Sequence, residues 1–203
     1  MMELVKAARP SSARDSLVIL DDLSQLRHLD LERADRQYLS EQLKADPALA
    51  VCDISGRLVM AHLSSGEVLS KRMEQARRAG DAMAARLNSA KRKEAQLINL
   101  QDDSGLCLAM AEGAALGNYA FRKYKTDEAG EPSLERLSIV AKEVGNDEVE
   151  ELQDLCEATC IARDLVNEPV SFLNAKQLAA EIRNLSRTSG FKLQVLGKEQ
   201  IAA

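Results

Sequence analysis

Short apolar, β-rich runs alternate with longer helical stretches along most of this chain, and that alternation leaves very few folds open to it. Ser16–Leu20 reads as a strand stopped by Asp21-Asp22, and Leu31–Lys44 then sets apolar against charged residues at helical spacing until Asp46-Pro47 breaks the pattern. Ala50–Ile54 and Arg57–Leu63 flank Ser55-Gly56, a turn-forming pair between two β-rich runs, which predicts a tight hairpin. From Gly66 to Asn88 the residues Leu69, Met73, Ala76, Gly80, Met83 and Leu87 step by four and three, so they form one stripe of an amphipathic helix. Ala95–Leu100 follows as an apolar strand, with Asp103 or Ser104 placed to cap the next helix. That helix, Leu106–Tyr124, is apolar nearly all round and has to be buried. Leu137–Ala141 supplies another strand. Asn146-Asp147 then opens a helix whose first turn carries Glu148, Glu150 and Glu151, acidic groups that complement the positive end of the helix dipole. Val149, Leu152, Cys156, Thr159 and Arg163 mark its inner face, and Pro169 ends it near Asn167. Strands alternating with helices of this length predict an α/β fold with a mainly parallel sheet covered on both faces, mixed where the hairpin enters.

Beyond Pro169, Asn174 and Gln177 form a capping pair for a helix to about Arg187, with Leu178, Ile182 and Leu185 on one face. Gly190 resets the chain, and Phe191, Leu193 and Val195 alternate with Lys192 and Gln194 as a half-buried strand. Gly197 turns, and Lys198–Ala203 begins a further helix. The pattern divides the chain into a domain at 1–146, a linker helix at 147–168 and the opening of another unit at 169–203. Residues before Ser16 show no pattern.

A length of 203 residues with 45% apolar content is enough for one full core plus an extra segment. No apolar run is long enough to span a bilayer, and Met1–Ser16 carries charges where a secretion signal needs apolar residues, so the expectation is a cytoplasmic protein without a membrane partner. The net charge of −5 argues against nucleic acid as a partner of the whole chain. One local exception is the basic group Lys71, Arg72, Arg77, Arg78, Arg86, Lys91, Arg92 and Lys93, on and just after the helix at 66–88. Its ordinary reading is a solvated helix face, and a nucleic-acid surface at 71–93 is the alternative.

Chemistry is hard to assemble from these residues. Cys52, Cys107, Cys156 and Cys160 lack C-x-x-C spacing, and only His28 and His62 are available to join them, so disulfides and a zinc site are disfavoured. Cys156 and Cys160 share a helical face, yet buried cysteines ordinarily behave as small hydrophobes. A Ser-His-Asp constellation would have to use one of the two histidines, and no serine sits in a G-x-S-x-G elbow. Ser64-Ser65-Gly66 lies where a strand meets a helix and offers a weak anion-binding turn, without the glycines of a dinucleotide or Walker loop. Arg163 and Asp164 are adjacent opposite charges late in a helix, better suited to ion pairs and caps than to substrate. The residues themselves therefore show no catalytic, cofactor-binding or metal site.

Two stretches carry a family resemblance. Glu112-Gly113, Leu116, Tyr119, Phe121, Tyr124 and Lys125 are followed by Ala162-Arg163-Asp164-Leu165-Val166-Asn167-Glu168-Pro169. In order and spacing they resemble the leucine (cytosol) aminopeptidases, most clearly from Ala95 onward. The signature positions carried over are Glu112, Gly113, Tyr119, Tyr124, Arg163, Asp164, Asn167 and Pro169. Asn174-Ala175 departs from the family's usual threonine-proline, and neither the lysine-containing metal motif nor the N-T-D-A-E-G-R motif occurs in this sequence.

The resemblance implies a macro-domain-like, three-layer α/β/α accessory domain, a linker helix and the truncated start of a peptidase domain. It further implies a parent enzyme that uses two divalent metals, zinc or manganese, to remove N-terminal residues, and that assembles as a hexamer. For this chain it implies an accessory or assembly role beside the remainder of the peptidase domain, with no cofactor of its own and no hydrolysis alone. The competing expectations are a macro-like ligand-binding module and the nucleic-acid module already mentioned.

Overall fold

The computed structural model describes residues 1–66, 68–127 and 130–202. They divide into two compact units, 1–160 and 161–203, each described separately. In the first unit six strands form one sheet: β1 (Glu3–Lys6), β2 (Ser16–Leu20), β3 (Ala50–Ile54), β4 (Arg57–Leu63), β5 (Glu94–Asn99) and β6 (Arg136–Val140). Their order is β1-β6-β5-β2-β4-β3, parallel throughout except for the β3–β4 pair. The helices are a 3-10 turn at Leu23–His28, α1 (Arg33–Ala45), α2 (Leu69–Ser89), α3 (Ser104–Gly117) and α4 (Asn146–Asn167), the last of which crosses the division between Cys160 and Ile161.

Period-2 alternation sorts the core into two layers. Leu17, Ile19, Met60, Leu97, Leu137 and Ile139 face α2, α3 and the start of α4. Val18, Leu20, Val59, Ala61 and Ile98 face α1 and the 3-10 turn on the other side. All five residues of β2 are buried, as a central strand covered on both faces must be. The architecture is thus a three-layer α/β/α unit with a mixed sheet. The hairpin closes through Ser55 and Gly56 at φ values of 55° and 84°, the left-handed pair that matches the twist of two antiparallel strands.

α2 and α3 pack with almost nothing between their backbones. A Cβ placed on Gly80 would stand 2.1 Å from the Met110 carbonyl oxygen, and one on Gly113 would stand 2.0 Å from the carbonyl oxygen of Arg77. Each helix therefore uses a glycine to admit the other's main chain, and Ala76, Ala84 and Ala114 line the same seam. At its far end a polar latch closes the pair. Asn88 Nδ2 donates to Asn118 Oδ1 at 2.8 Å, and the main-chain N–H groups of Ser133 and Leu134 donate to Asn88 Oδ1 at 2.8 and 2.9 Å. Asn118 Nδ2 in turn donates to the Leu134 carbonyl at 2.8 Å. This is how the segment entering β6 is tied to both helices.

Several sequence expectations need correction. Glu3–Lys6 is a strand although its surroundings show no pattern; it is short, and only Met2 and Leu4 are buried there. Leu23–His28, which the sequence pattern leaves unassigned, is helical because Asp22 and Gln25 form a reciprocal capping box, and His28 ends this turn of helix. α2 begins at Leu69, after Gly66 with φ at 106°, and Leu69 itself is exposed, so the buried stripe starts further on. α3 stops at Gly117, seven residues before the expected Tyr124, because Asn118 turns its side chain into the latch. On α4 the buried face ends with Cys160 rather than with Thr159 and Arg163.

In the second unit, Asn174 Oδ1 accepts the Lys176 and Gln177 N–H groups and starts α5 (Ala175–Ser189). Gly190, at φ 74°, ends it as a left-handed cap. No residue of α5 is buried. Phe191–Val195 is not a strand here and pairs with no strand among the described residues. A short α6 (Lys198–Ala202) closes the unit, and Ala203 lies outside the described residues. No helix among the described residues is long and apolar enough to cross a membrane.

Candidate functional site

The signature pair Glu112-Gly113 meets a single residue of α2. Arg77 Nε donates to Glu112 Oε2 at 2.7 Å, while the Arg77 main chain lies against the bare Cα of Gly113. Neighbouring signature positions thus grip one arginine by its side chain and its backbone. The ion pair is about one third exposed on each side and contributes no more than ~1 kcal/mol, so its role is to fix register where the glycine permits contact. Past α3, the Phe121 and Tyr124 rings meet at 5.9 Å between centroids, tilted by 58°, and Lys123 Nζ stands 5.7 Å over the Tyr124 ring. Tyr119 is half-buried and precedes this cluster.

The remaining signature residues lie in the second unit. Arg163, Asp164 and Asn167 occupy the end of α4, and the Asp164 carbonyl accepts the Glu168 N–H at 3.1 Å. Pro169 then opens a turn, its carbonyl accepting the N–H groups of Phe172 and Leu173 at 2.8 and 2.9 Å. The eight positions therefore serve two places: Glu112, Gly113, Tyr119 and Tyr124 on and after α3, and Arg163, Asp164, Asn167 and Pro169 at the exit from α4.

A shallow cleft of about 530 Å³ opens beyond the C-terminal ends of β2 and β5, lined by Asp21, Arg72, Gln101, Asp102, Asp103 and Ser104. It lies where the chain leaves two adjacent strands toward opposite faces of the sheet, the place where ligands enter open α/β sheets. Its charged groups already hold the fold. Asp103 caps α3 through the Leu106 N–H, Asp21 accepts from Gln25 Nε2 at 2.7 Å, and Arg72 Nε donates to Ser64 Oγ at 3.1 Å. Three carboxylates against one guanidinium repel an anion, so the Ser64-Ser65-Gly66 turn gains no support as a phosphate cradle.

Half of the basic group at 71–93 is similarly committed. Arg77 pairs with Glu112, Arg78 with Glu74, Arg92 with Asp15 and Lys93 with Glu135. Three of these four carboxylates come from elsewhere in the sequence and one, Glu74, from the helix itself, so half of the eight charges are offset by neighbours.

The two histidines sit on separate elements. His28 is exposed and accepts from Arg27 Nε at 3.3 Å. His62 is buried on β4, where Nδ1 donates to the Ala48 carbonyl at 3.0 Å and Nε2 has no partner among the described residues. Burial holds its pKa below the usual histidine value, with the hydrogen bonds to the Ala48 and Pro47 carbonyls opposing more weakly. The neutral ring is therefore the folded form. As pH falls below 6.5 the unfolded chain gains a proton that the folded chain resists, so this contribution to stability is present above that pH and lost below it. Urea unfolding at pH 7.5 and pH 5.5 is expected to show a larger acid loss for wild type than for His62→Asn, which keeps a donor but does not titrate; parallel losses would refute the assignment.

All four cysteines are buried and none is in a disulfide. Burial pushes the Cys107 thiol up to about 12, the state of an inert core residue. Among the described residues no three His, Cys, Asp or Glu side chains converge to hold a metal ion. The two divalent metals implied by the family resemblance find no such donor set among the described residues. Sequence reasoning passed over Arg77, which appeared only as one basic residue among eight, and Asn88 and Asn118, whose partners lie far along the chain.

Comparison with known proteins agrees with this geometry. The sequence model described as "Cytosol aminopeptidase family, N-terminal domain" matches residues 64–128, the stretch that contains α2, β5 and α3. A probable cytosol aminopeptidase of Clostridium perfringens is 35% identical over 134 residues, 59% of this chain and 27% of that protein. One of Geotalea uraniireducens is 34% identical over 155 residues, 72% of this chain and 31% of that protein. The chain thus spans about a third of the length of the curated relatives it matches. Among solved structures, a mutant of tomato leucine aminopeptidase superposes with a TM-score of 0.73 at 16% identity, covering 100% of this chain and 46% of that one. The bottromycin maturation enzyme BotP, solved in complex with Mn, gives 0.68 at 23% identity over 94% of this chain and 40% of its own. Sequence and fold together assign this chain to the cytosol (leucine) aminopeptidase family, as a counterpart of the N-terminal part of its members.

Proposed function

We propose that this chain is the accessory and assembly portion of a metal-dependent leucine aminopeptidase. The parent activity is removal of N-terminal residues from peptides by metal-activated water. One observation carries the reading: the residues that identify the family here hold helices together or shape the exit from α4, and among the described residues no group of three His, Cys, Asp or Glu side chains accompanies them to hold a metal. On this reading the chain itself does not hydrolyse peptides, acts beside the remainder of a peptidase domain, and belongs to a cytoplasmic homo-oligomer.

The purified chain is expected to show no turnover of leucine p-nitroanilide with zinc or manganese added. Co-purification with the catalytic part of the Geotalea relative, expressed without its own N-terminal third, is the positive expectation. Chelator-sensitive hydrolysis by the chain alone would overturn the proposal, as would failure of the two polypeptides to associate.

A further inference from the structure

The cleft beyond β2 and β5 holds more bonding capacity than the fold consumes. Gln101 lines it while only 3% exposed, and its carboxamide is nearly idle: Nε2 makes one long bond, 3.4 Å to the Asp103 carbonyl, and Oε1 meets no donor among the described residues. Buried amides are ordinarily paired at both ends. An open acceptor on the wall of a cleft of about 530 Å³ therefore marks the place of a donor supplied from outside. The charged lining points the same way. Arg72 gives its Nε to the buried Ser64 Oγ, so the guanidinium is gripped from one side and its two terminal nitrogens form a fork without a partner among the described residues. Asp21 engages Gln25 Nε2 through Oδ1 alone, and Asp102 is exposed with no ion pair or hydrogen bond among the described residues. Asp103, by contrast, is occupied as the cap of α3.

Each unspent group selects one feature of a ligand. The guanidinium fork matches a carboxylate, and the two carboxylates match two ammonium groups. Three aspartates against one arginine leave the cleft net negative, which favours a ligand of net positive charge. No apolar residue lines it among those described, so an aliphatic or aromatic substituent would find no cover. We propose that this cleft binds a free α-amino acid with a cationic side chain, its carboxylate on the Arg72 fork, its two ammonium groups on Asp21 and Asp102, and one of their N–H donors on Gln101 Oε1. The origin of such a ligand rests on the functional reading above, because removal of N-terminal residues from peptides releases free amino acids. The cleft then allows an accessory domain to sense basic products.

Titration of the full 203-residue chain with L-lysine, followed by amide chemical shifts, tests this. The amides of 101–104 are expected to shift with a dissociation constant of ~1 mM, the strength of a few charge-assisted bonds at a solvated site. L-Leucine, which lacks the second ammonium group, and cadaverine, which lacks the carboxylate, should each bind at least tenfold more weakly. Asp102→Asn should weaken lysine binding at least tenfold without moving the melting temperature, because that carboxylate holds no partner in the fold. Arg72→Gln should bring L-lysine down to the affinity of cadaverine while leaving cadaverine unchanged. Absence of any shift at about 10 mM L-lysine, ten times the expected constant, overturns the inference, as does binding of leucine or cadaverine equal to that of lysine. Magnesium ions that move the same amides as strongly as lysine would mark a plain cation site and overturn it too. Loss of the inference leaves the accessory and assembly reading standing, whereas hydrolysis by the chain alone would remove that reading and leave lysine binding in place.

Discussion

Gly113→Ala is expected to destabilise the 1–160 unit by about 3 kcal/mol or more, at the upper end of what overpacking costs, and to lower its melting temperature by roughly 6–12 °C. The added methyl would stand 2.0 Å from the Arg77 carbonyl oxygen and 2.6 Å from its Cα, and both obstacles are main chain. No rotamer change relieves such a contact. The helices would have to move apart, opening space around Ala76, Ala114 and Met110 while stretching the Arg77–Glu112 pair. Intrinsic helix propensity acts in the opposite direction, favouring alanine by about 1 kcal/mol, so a net loss isolates the steric effect. Gly145→Ala is the appropriate control, since its methyl would meet only the Glu148 carboxylate at 3.6 Å. Thermal melts of the two variants should separate clearly; a Gly113→Ala protein that melts with wild type would show that α2 and α3 do not approach as closely as described.

Asn88→Ala is expected to cost about 2–4 kcal/mol, through the N–H groups it leaves without acceptors. Asn88 Oδ1 accepts from both Ser133 and Leu134, and Nδ2 donates to Asn118 Oδ1, so one side chain satisfies two main-chain donors and orients a second amide. Ser133 Oγ also donates to the Arg92 carbonyl at 3.0 Å and keeps the segment partly anchored, which limits the loss. Asn88→Asp retains the acceptor but points a carboxylate at the Asn118 oxygen, and should fall between wild type and alanine. Urea unfolding with exchange at residues 133 and 134 reads both quantities. Equal stability of the alanine and aspartate variants, with no faster exchange at 133–134, would remove the latch from the account.

What the sequence made legible follows the range of the forces involved. The hairpin at 50–63 matches residue for residue, because period-2 runs and a Ser-Gly turn are decided within a few residues. The start and end of α4 match for the same reason, through its acidic first turn and the proline beyond it. The end of α3 was not legible: the chain from 118 to 124 is compatible with helix, and what stops it is a bond from Asn118 to Leu134, far along the chain. β1 escaped because a strand of four residues carries too few alternations to register. The candidate site divides in the same way. Glu112 and Gly113 were found as a family pattern, whereas the reason for them, Arg77 on another helix, exists only after folding.

The pairing of β1 with β6 also sets an order of events during synthesis. Glu3 and Arg136, bonded at 2.7 Å across these strands, are separated by 133 positions in the sequence. At ordinary translation rates of about 5–20 residues per second, β1 leaves the ribosome roughly 7–27 s before the neighbour it will lie beside. Until then the free edge of β6 is not yet made and the N-terminal segment, with Met2 and Leu4 uncovered, has nowhere to go. Within the six-stranded sheet, β1 is consequently open to chaperones and proteases until β6 has been made.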